Sequence, residues 1–343
     1  MEHEISIRSA KNVFDNIDTQ AYQVVLVGID KQGVWYLNKS VSKDISVGDK
    51  VAPVPTKGAG ELINLKDGGR IAYDIVFPVL HGTDGEDGAI QGIFKAYNVP
   101  LVGCSVLGSA VSMDKIVSKK LLKESGVPVA DYLHFSNSGK DKYPFSVVVA
   151  KVGLPFMIKA AALGSSVGIS KVSSVEEYES ALNDAFRYGS QVLIEKFVKG
   201  RELECGVIGN ERPEATLPGE IVLKKSYSFY DYQAKYQDED AIDIVIPANV
   251  PPEIAARIQK YCVMAYQALN CNDYSRVDVF LTEENKVIIN EINTIPGFTN
   301  VSMFPMLWNN MGLKYKELIS KLLDLAQLRW ERQNAYQTSY DKA

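Results

Sequence analysis

The stretch IINEINTIPGF, residues 288–298, sets a carboxylate, Glu291, and an amide, Asn293, two positions apart in an otherwise apolar run. Strand side chains alternate faces, so Glu291 and Asn293 share one face and Ile292 points to the other. The same parity in SRVDVFL, 275–281, puts Arg276 and Asp278 together, with Val277 and Val279 opposite. If the two segments pair as a hairpin through TEENK, 282–286, Asp278 meets Glu291 and Asn293 across the ladder. Two carboxylates and an amide oxygen form a hard, oxygen-only cluster. It suits magnesium, which takes one or two carboxylates and fills its octahedron with water and phosphate oxygens. Acids on the solvated face of an edge strand would look the same and need no ligand. Pro296-Gly297 directly afterwards favours the ligand, because it ends the strand in a tight turn whose N–H groups can face one.

Around this hairpin the composition is that of a soluble globular protein, with 46% apolar and 23% charged residues. Its 343 residues exceed one ordinary core and suit two or three domains. A net charge of −5, with no lysine-arginine block, argues against nucleic acid or a membrane surface as partner and leaves small molecules as the default ligands. Cys104, Cys205, Cys262 and Cys271 show neither C-x-x-C spacing nor the density of a disulfide scaffold, which points to structural thiols in a reducing cytoplasm. His3, His81 and His134 are too scattered for a zinc site. The start, MEHEISIRSA, is polar, and no apolar run reaches the roughly 18 residues that span a bilayer, so neither export nor membrane anchoring is expected.

The first hundred residues alternate. EISIRSAKNVFDNI (4–17) and GAIQGIFKAYN (88–98) have helical spacing, while YQVVLVGI (22–29) and YDIVFPVL (73–80) read as buried strands. Such alternation predicts an α/β layer with a parallel sheet, and the polar stretch 42–60 a surface loop. From about residue 104 the texture changes. MDKIVSKKLLKESG is a helix closed by Gly126, LPFMIKA and QVLIEKFV are strands, and Ser174 with Glu177 makes a capping box for a helix running to Tyr188. A third section, with strands at LECGVIG, AIDIVIPA, SRVDVFL and KVIINEI and a helix from Pro252 to Leu269, reads as α+β.

KAAALGSSVGIS, 159–170, follows a strand and is rich in small residues, so its backbone can approach an anion closely and donate several N–H bonds. It matches neither G-x-x-x-x-G-K-[ST] nor G-x-G-x-x-G, so a nucleotide would need another architecture. Lys159, Lys115 and Lys235 could each neutralise phosphate charge, although a single lysine is more often a solvated surface residue. In IEKFVKGRELE, 194–204, backbone groups could read an adenine edge and Glu202 accept from ribose hydroxyls. Glu195 and Glu202 as plain surface acids is the competing reading.

Taken together, FPVLHGTDGEDGAIQG, VSMDK, GSSVGISKV, LIEKFVKGRELE, FYDYQAKY, SRVDVFL and NEINTIPGFTNVSMFP resemble the D-alanine–D-alanine ligase family of ATP-grasp enzymes, from residue 1 to about 328. The resemblance implies a three-domain chain with both α/β and α+β parts: a Rossmann-like N-terminal substrate domain (1–103), central and C-terminal ATP-grasp parts (104–197 and 198–330) and a polar tail (331–343). ATP would lie between the last two parts. Lys115, Lys159 and Lys235 would contact phosphates, Glu195, Lys196, Val198 and Glu202 would hold adenosine, and Asp278, Glu291 and Asn293 would bind two magnesium ions, manganese being an alternative. Arg276 and the Gly297 N–H would stabilise an oxyanion. Glu2 would hold the first substrate's ammonium with His81 near its carboxylate, and Ser302 with the Met303 backbone would take the second substrate's carboxylate. Ser165 and Tyr236 would link to Glu2 and pin the loop SYSFYDYQAKY over the site. A cytoplasmic homodimer joined through the N-terminal domain is the family expectation.

Two departures stand out. Family members open with a strand and a Gly-Gly turn ahead of the glutamate, whereas this chain opens at MEHEIS, so the N-terminal sheet is expected to lack its first strand and to expose neighbouring strand edges. Ala160 also stands where the family has proline. The rival readings are another ATP-grasp carboxylate–amine ligase, which need not keep His81, Tyr236 and Ser302, and a catalytically impaired nucleotide-binding homologue.

Overall fold

Three sheets carry the chain in the computed structural model, which describes residues 2–56, 60–164, 168–224 and 242–337. The N-terminal part opens with α1 (His3–Asn16), as its spacing predicts. It continues through β1 (Leu26–Ile29), β2 (Trp35–Asn38), β3 (Asp49–Val54), β4 (Gly60–Asn64) and β5 (Arg70–Tyr73) to α2 (Ala89–Ala96). The five strands pair in chain order and antiparallel, which corrects the expected parallel sheet. A parallel return needs a crossover of about a dozen residues or more. Residues 30–34 instead close a short turn in which the Asp30 carboxylate accepts from the N–H groups of Gln32 and Val34. The expected loop at 42–60 contains β3, because Val51 finds a buried place in the sheet.

Within YDIVFPVL the parallel pairing expected of a strand survives as one bridge, Val76 to Leu101. There Val76 donates to the Pro100 carbonyl and Val102 donates to that of Val76. Between α1, residues 24–29 and residues 75–80 lies an apolar cavity of about 640 Å3, bordered by Ile7, Ala10, Phe14, Val27, Ile75 and Phe77.

The central part begins with α3 (Val106–Met113) and α4 (Lys115–Glu124). Asp114 of the MDK motif is the N-cap of α4, accepting from Ile116 N–H at 2.9 Å and Val117 N–H at 3.0 Å. This cap fixes Lys115 at the first helical position, and Gly126, at φ +73°, follows the helix end. Next come β6 (Tyr132–Ser136), α5 (Phe145–Val152), β7 (Phe156–Ala160), β8 (Ile169–Val172), α6 (Val175–Phe186) and β9 (Gln191–Lys196), with sheet order β6-β9-β7-β8. The box expected at Ser174 does not form. Glu177 accepts from the Ser173 N–H at 2.7 Å, while the Ser174 side chain caps nothing. Phe156, Ile158, Val192 and Ile194 pack with α5 and α6. Alternation therefore sends Lys159 and Glu195 to the opposite face, where both are also buried.

The C-terminal part holds β10 (Gly200–Ile208), β11 (Glu214–Ala215), β12 (Gly219–Leu223), β13 (Ile242–Val245), α7 (Pro252–Ala268), β14 (Tyr274–Thr282) and β15 (Val287–Asn293), ordered β13-β12-β10-β14-β15 with β11 on β10. Val277, Val279 and Ile289 bury one sheet face in a cluster with Ile258, Cys262 and Tyr266 of α7. All four cysteines are buried free thiols. The chain then runs through α8 (Met303–Asn310) and α9 (Tyr315–Asn334). The polar tail expected from 331 thus starts as helix. Gln327 donates to Glu331, Arg332 pairs with Glu211, and Asn98 donates to Asn334 at 3.0 Å, which holds the last turn.

Candidate active site

The hairpin of β14 and β15 sets Asp278 directly opposite Glu291 and Arg276 opposite Asn293, as strand parity predicts. The ladder then slips: Asp278 faces Glu291 but Val279 faces Ile289, leaving Asn290 as an extra, bulged residue. The bulge decides the face. In an uninterrupted strand Glu291 and Asn293 would point to the same side as Val287 and Ile289, which lie in the core. With it they emerge half-buried beside Asp278.

Charge is concentrated there. Arg276 donates to both oxygens of Asp278, Nε to Oδ1 at 2.6 Å and Nη2 to Oδ2 at 2.8 Å, a bidentate pair that fixes the carboxylate plane. Its Nε also lies 2.9 Å from Glu204 Oε2, which β10 brings opposite Asp278. Asn293 Nδ2 donates to Asp278 Oδ2 at 3.0 Å. Among the described residues no three His, Cys, Asp or Glu side chains gather as a metal site, so a cation here needs the Asn293 amide as its third protein donor. The donor set fits: two carboxylates and an amide on one face, all oxygen ligands, suit a hard divalent ion.

Lysines approach from the central part. Lys115 Nζ is 3.7 Å from Glu291 Oε2 and also donates to the Leu163 carbonyl in the small-residue segment. Lys159 Nζ pairs with Glu195 and lies 3.4 Å from Asn290 Oδ1 at the bulge. The other oxygen of Glu195 meets Lys119 Nζ at 2.7 Å. Burial opposes ionisation of Glu195, yet the two lysines outweigh it and hold the carboxyl down to about 2. Burial likewise acts against the Lys159 ammonium, and Glu195 and Glu291 reverse that, so its pKa is raised. The Glu195 side chain, expected at adenosine, is therefore engaged by lysines. Lys196 is exposed at the end of β9, with Val198 just beyond it, and Glu202 sits in β10 between Ile221 and Phe280.

The third wall comes from the N-terminal part. Glu2 caps the start of α1, and its carboxylate lies so close to Gly82 that any Cβ there would collide with it. A Cβ on Gly164, next in sequence to Ser165, would lie 3.2 Å from Glu2 Oε1. His81 is half-buried, and the desolvation pulls its pKa down to about 4, so the ring is neutral at pH 7. Its Nδ1 is 2.9 Å from the Ile295 carbonyl, which can only accept, so the proton sits on Nδ1 and Nε2 accepts from the Ser9 hydroxyl at 2.9 Å. Ser9 Oγ in turn accepts from the Phe298 N–H at 3.2 Å. Both ring nitrogens thus tie α1 to the turn after β15. Glu86 makes a parallel link, accepting from Gly82 N–H at 2.6 Å and Ile295 N–H at 3.2 Å. Burial pushes its carboxyl up to about 8, helped by Glu2 and opposed by these N–H groups.

A Cβ on Gly297 would press to 2.7 Å from Ser302 Oγ, so the backbone here approaches that hydroxyl closely. Ser302 accepts from the Thr299 N–H at 3.0 Å and precedes Met303, whose side chain is buried with Ile221 and Leu307. Asp278, Glu291, Asn293, Arg276, Lys115 and Lys159 therefore gather at the hairpin, while Glu2 and His81 border it from the N-terminal part and Gly297 and Ser302 lie in the segment that follows β15. Ser165, Lys235 and Tyr236 lie outside the described residues. Sequence reasoning missed Glu86, Lys119 and Ser9. Only spacing hinted at Lys119, which stands one helical turn after Lys115.

The descriptions D-ala D-ala ligase N-terminus and D-ala D-ala ligase C-terminus match residues 1–104 and 121–324 respectively. D-alanine–D-alanine ligase A of Escherichia coli (strain K12) is 45% identical over 350 residues, covering 98% of this chain and 96% of that protein. Among solved structures, the D-alanine-D-alanine ligase of Coxiella burnetii matches with a TM-score of 0.88 at 34% identity, covering 97% of this chain and 92% of that one. The VanG D-Ala:D-Ser ligase of Enterococcus faecalis matches with a TM-score of 0.86 at 34% identity, covering 95% and 96%.

Proposed function

The chain belongs to the D-alanine–D-alanine ligase family, and from that premise we infer that it joins two D-alanines at the expense of ATP, for peptidoglycan synthesis. The γ-phosphoryl group passes to a carboxylate oxygen of the first D-alanine and ADP leaves. The amino group of the second then attacks the acyl carbon, the C–O bond to phosphate breaks with its electrons going to phosphate, and a proton is released. Both steps gather negative charge on oxygen and call for positioned cations and donors more than a protein nucleophile. The observation that carries this reading is the cross-strand pair of Asp278 and Glu291, flanked by Arg276, Asn293 and Lys115.

ATP and a divalent metal are the cofactors; two magnesium ions at Asp278, Glu291 and Asn293 are our finer reading. Bound there, the metal supplies charge neutralisation for the polyphosphate. Lys115, Lys159 and Lys235 bind phosphates, with Glu195, Lys196, Val198 and Glu202 around the adenosine. Arg276 and the Gly297 N–H receive the oxyanion of the second step. Glu2 holds the first ammonium, Ser302 and the Met303 backbone the second carboxylate, and Ser165 with Tyr236 closes the loop against Glu2. His81 positions the turn, since both its nitrogens bond within the protein.

We read the fold as a three-domain ATP-grasp with boundaries near 103 and 197. A cytoplasmic homodimer is our reading of its working form, checked by sedimentation; no described helix is long and apolar enough to cross a membrane. The test is phosphate release with ATP and magnesium against D-alanine, D-serine and D-lactate. D-alanine is expected to be preferred at both subsites. Release that no D-amino acid stimulates would overturn the reading.

A further inference from the structure

Two buried lysines share one buried carboxylate beneath the hairpin. Lys119 reaches Glu195 Oε2 at 2.7 Å and Lys159 pairs with Oε1, with side-chain exposures of 4% for Lys119, 4% for Glu195 and 9% for Lys159. Lys119 lies one turn beyond Lys115 on α4, and Lys159 points on toward the bulge, 3.4 Å from Asn290 Oδ1. The charge count decides what this arrangement does. Lys159 with Glu195 alone is a closed pair of zero net charge, whose field falls off quickly as seen by a ligand. Adding Lys119 on the second oxygen leaves the trio at +1, with Lys159 the member nearest the hairpin.

Resting on the nucleotide-site reading above, we propose that Lys119 is a positioning residue: it neutralises Glu195 so that Lys159 presents to the polyphosphate of the nucleotide a positive charge that Glu195 does not cancel. Lys119 touches no phosphate itself. Its effect must therefore scale with the charge of the ligand and not with the fit of the base. Conversely, removing the anion along with Lys119 must restore the effect, because Lys159 alone again carries +1.

The experiment is calorimetric binding of adenosine, AMP, ADP and a non-hydrolysable ATP analogue, with magnesium, to the full chain. In Lys119→Met the analogue is expected to bind about tenfold more weakly, with adenosine changed less than about twofold. Lys119→Arg, which keeps the charge, should bring the analogue back to within about threefold of wild type. The double variant Lys119→Met/Glu195→Gln buries no unbalanced charge and should recover the wild-type ratio of analogue to adenosine affinity, even if Lys119→Met proves too unstable to measure. An equal loss for all four ligands, or a double variant that keeps a depressed ratio, would overturn the inference. If the wild type itself binds adenosine and the analogue equally, the nucleotide reading fails and this inference with it. If the wild type grades its ligands by charge and Lys119→Met grades them just as steeply, the inference alone falls.

Discussion

The β14–β15 hairpin and the N-terminal layer are both antiparallel, yet they are built on opposite terms. Beneath the hairpin Val277, Ile289, Ile258, Cys262 and Tyr266 are wholly buried. In the N-terminal layer all of β1 is only half-buried and an apolar cavity of about 640 Å3 adjoins α1. Tight packing under the hairpin lets its upper face carry Asp278, Glu291, Arg276 and Glu204 in fixed positions, because a close-packed interior transmits little slack. The N-terminal layer reaches the turn at 295–298 through polar links from His81 and Glu86 and through Phe77, whose ring meets those of Phe298 and Tyr274 edge-on. Chemistry is thus concentrated where packing is complete. Asp278→Asn with Glu291→Gln should lower turnover about a thousandfold with little change in thermal midpoint, since both side chains lie above the core. A comparable loss of folding would show that the charges also hold the sheet together.

Packing substitutions sharpen the contrast. Ile289→Ala should cost about 2–5 kcal/mol in urea unfolding, as a cavity opens in a filled core. Ile75→Ala should cost less, about 1–2 kcal/mol, because this side chain packs on the cluster of Val13 and Phe298 on one side and borders open space on the other. Equal losses would mean that the cavity is filled in solution. The polar links give a pH test. The Glu86 carboxyl, pushed up to about 8 from 4.5, holds its proton in the folded chain while the unfolded chain has released it. Stability therefore falls as pH rises between those values, by up to about 1.4 kcal/mol per unit. His81, held down to about 4 from 6.5, acts in the opposite sense between those two values, because there the unfolded chain binds the extra proton. Above pH 6.5 the opposing contribution of His81 is gone, so Glu86→Gln should flatten the midpoint between pH 6.5 and 8 where wild type declines. A decline that persists in the variant would assign it to another group.

The same division marks what was legible in the sequence. Two-residue alternation in SRVDVFL and NEIN carried enough information to pair Asp278 with Glu291, because parity is local and the TEENK turn is short. The bulge at Asn290 was not legible, since an extra residue leaves no signature in an apolar run, yet it puts the carboxylate on the working face. In the N-terminal layer alternation of apolar segments suggested parallel strands. Strand direction, however, depends on connection length and on which segments find partners, and short turns such as 30–34 made the meander. Lys119 and Glu86 stayed hidden for a related reason. A buried charge is recognised by its partner, and Glu195 and Ile295 are far away in sequence.

The smallest effect tests the cavity from inside. Ala10 lies on the side of α1 that borders the empty space, and Ala265 of α7 is wholly buried in the core under the hairpin. Enlarging either to leucine adds the same apolar volume and much the same helix propensity, so the two variants differ only in what surrounds them. Ala265→Leu must displace Ile258, Tyr266 and their neighbours, at about 1–3 kcal/mol. Ala10→Leu has room to enter and buries new apolar surface against Ile75 and Phe77, which should raise stability by about 0.5–1 kcal/mol. The sign matters more than the size. Destabilisation by Ala10→Leu as well would mean that a segment of chain already occupies the space beside α1, and the contrast between the two regions would then reduce to their polar links.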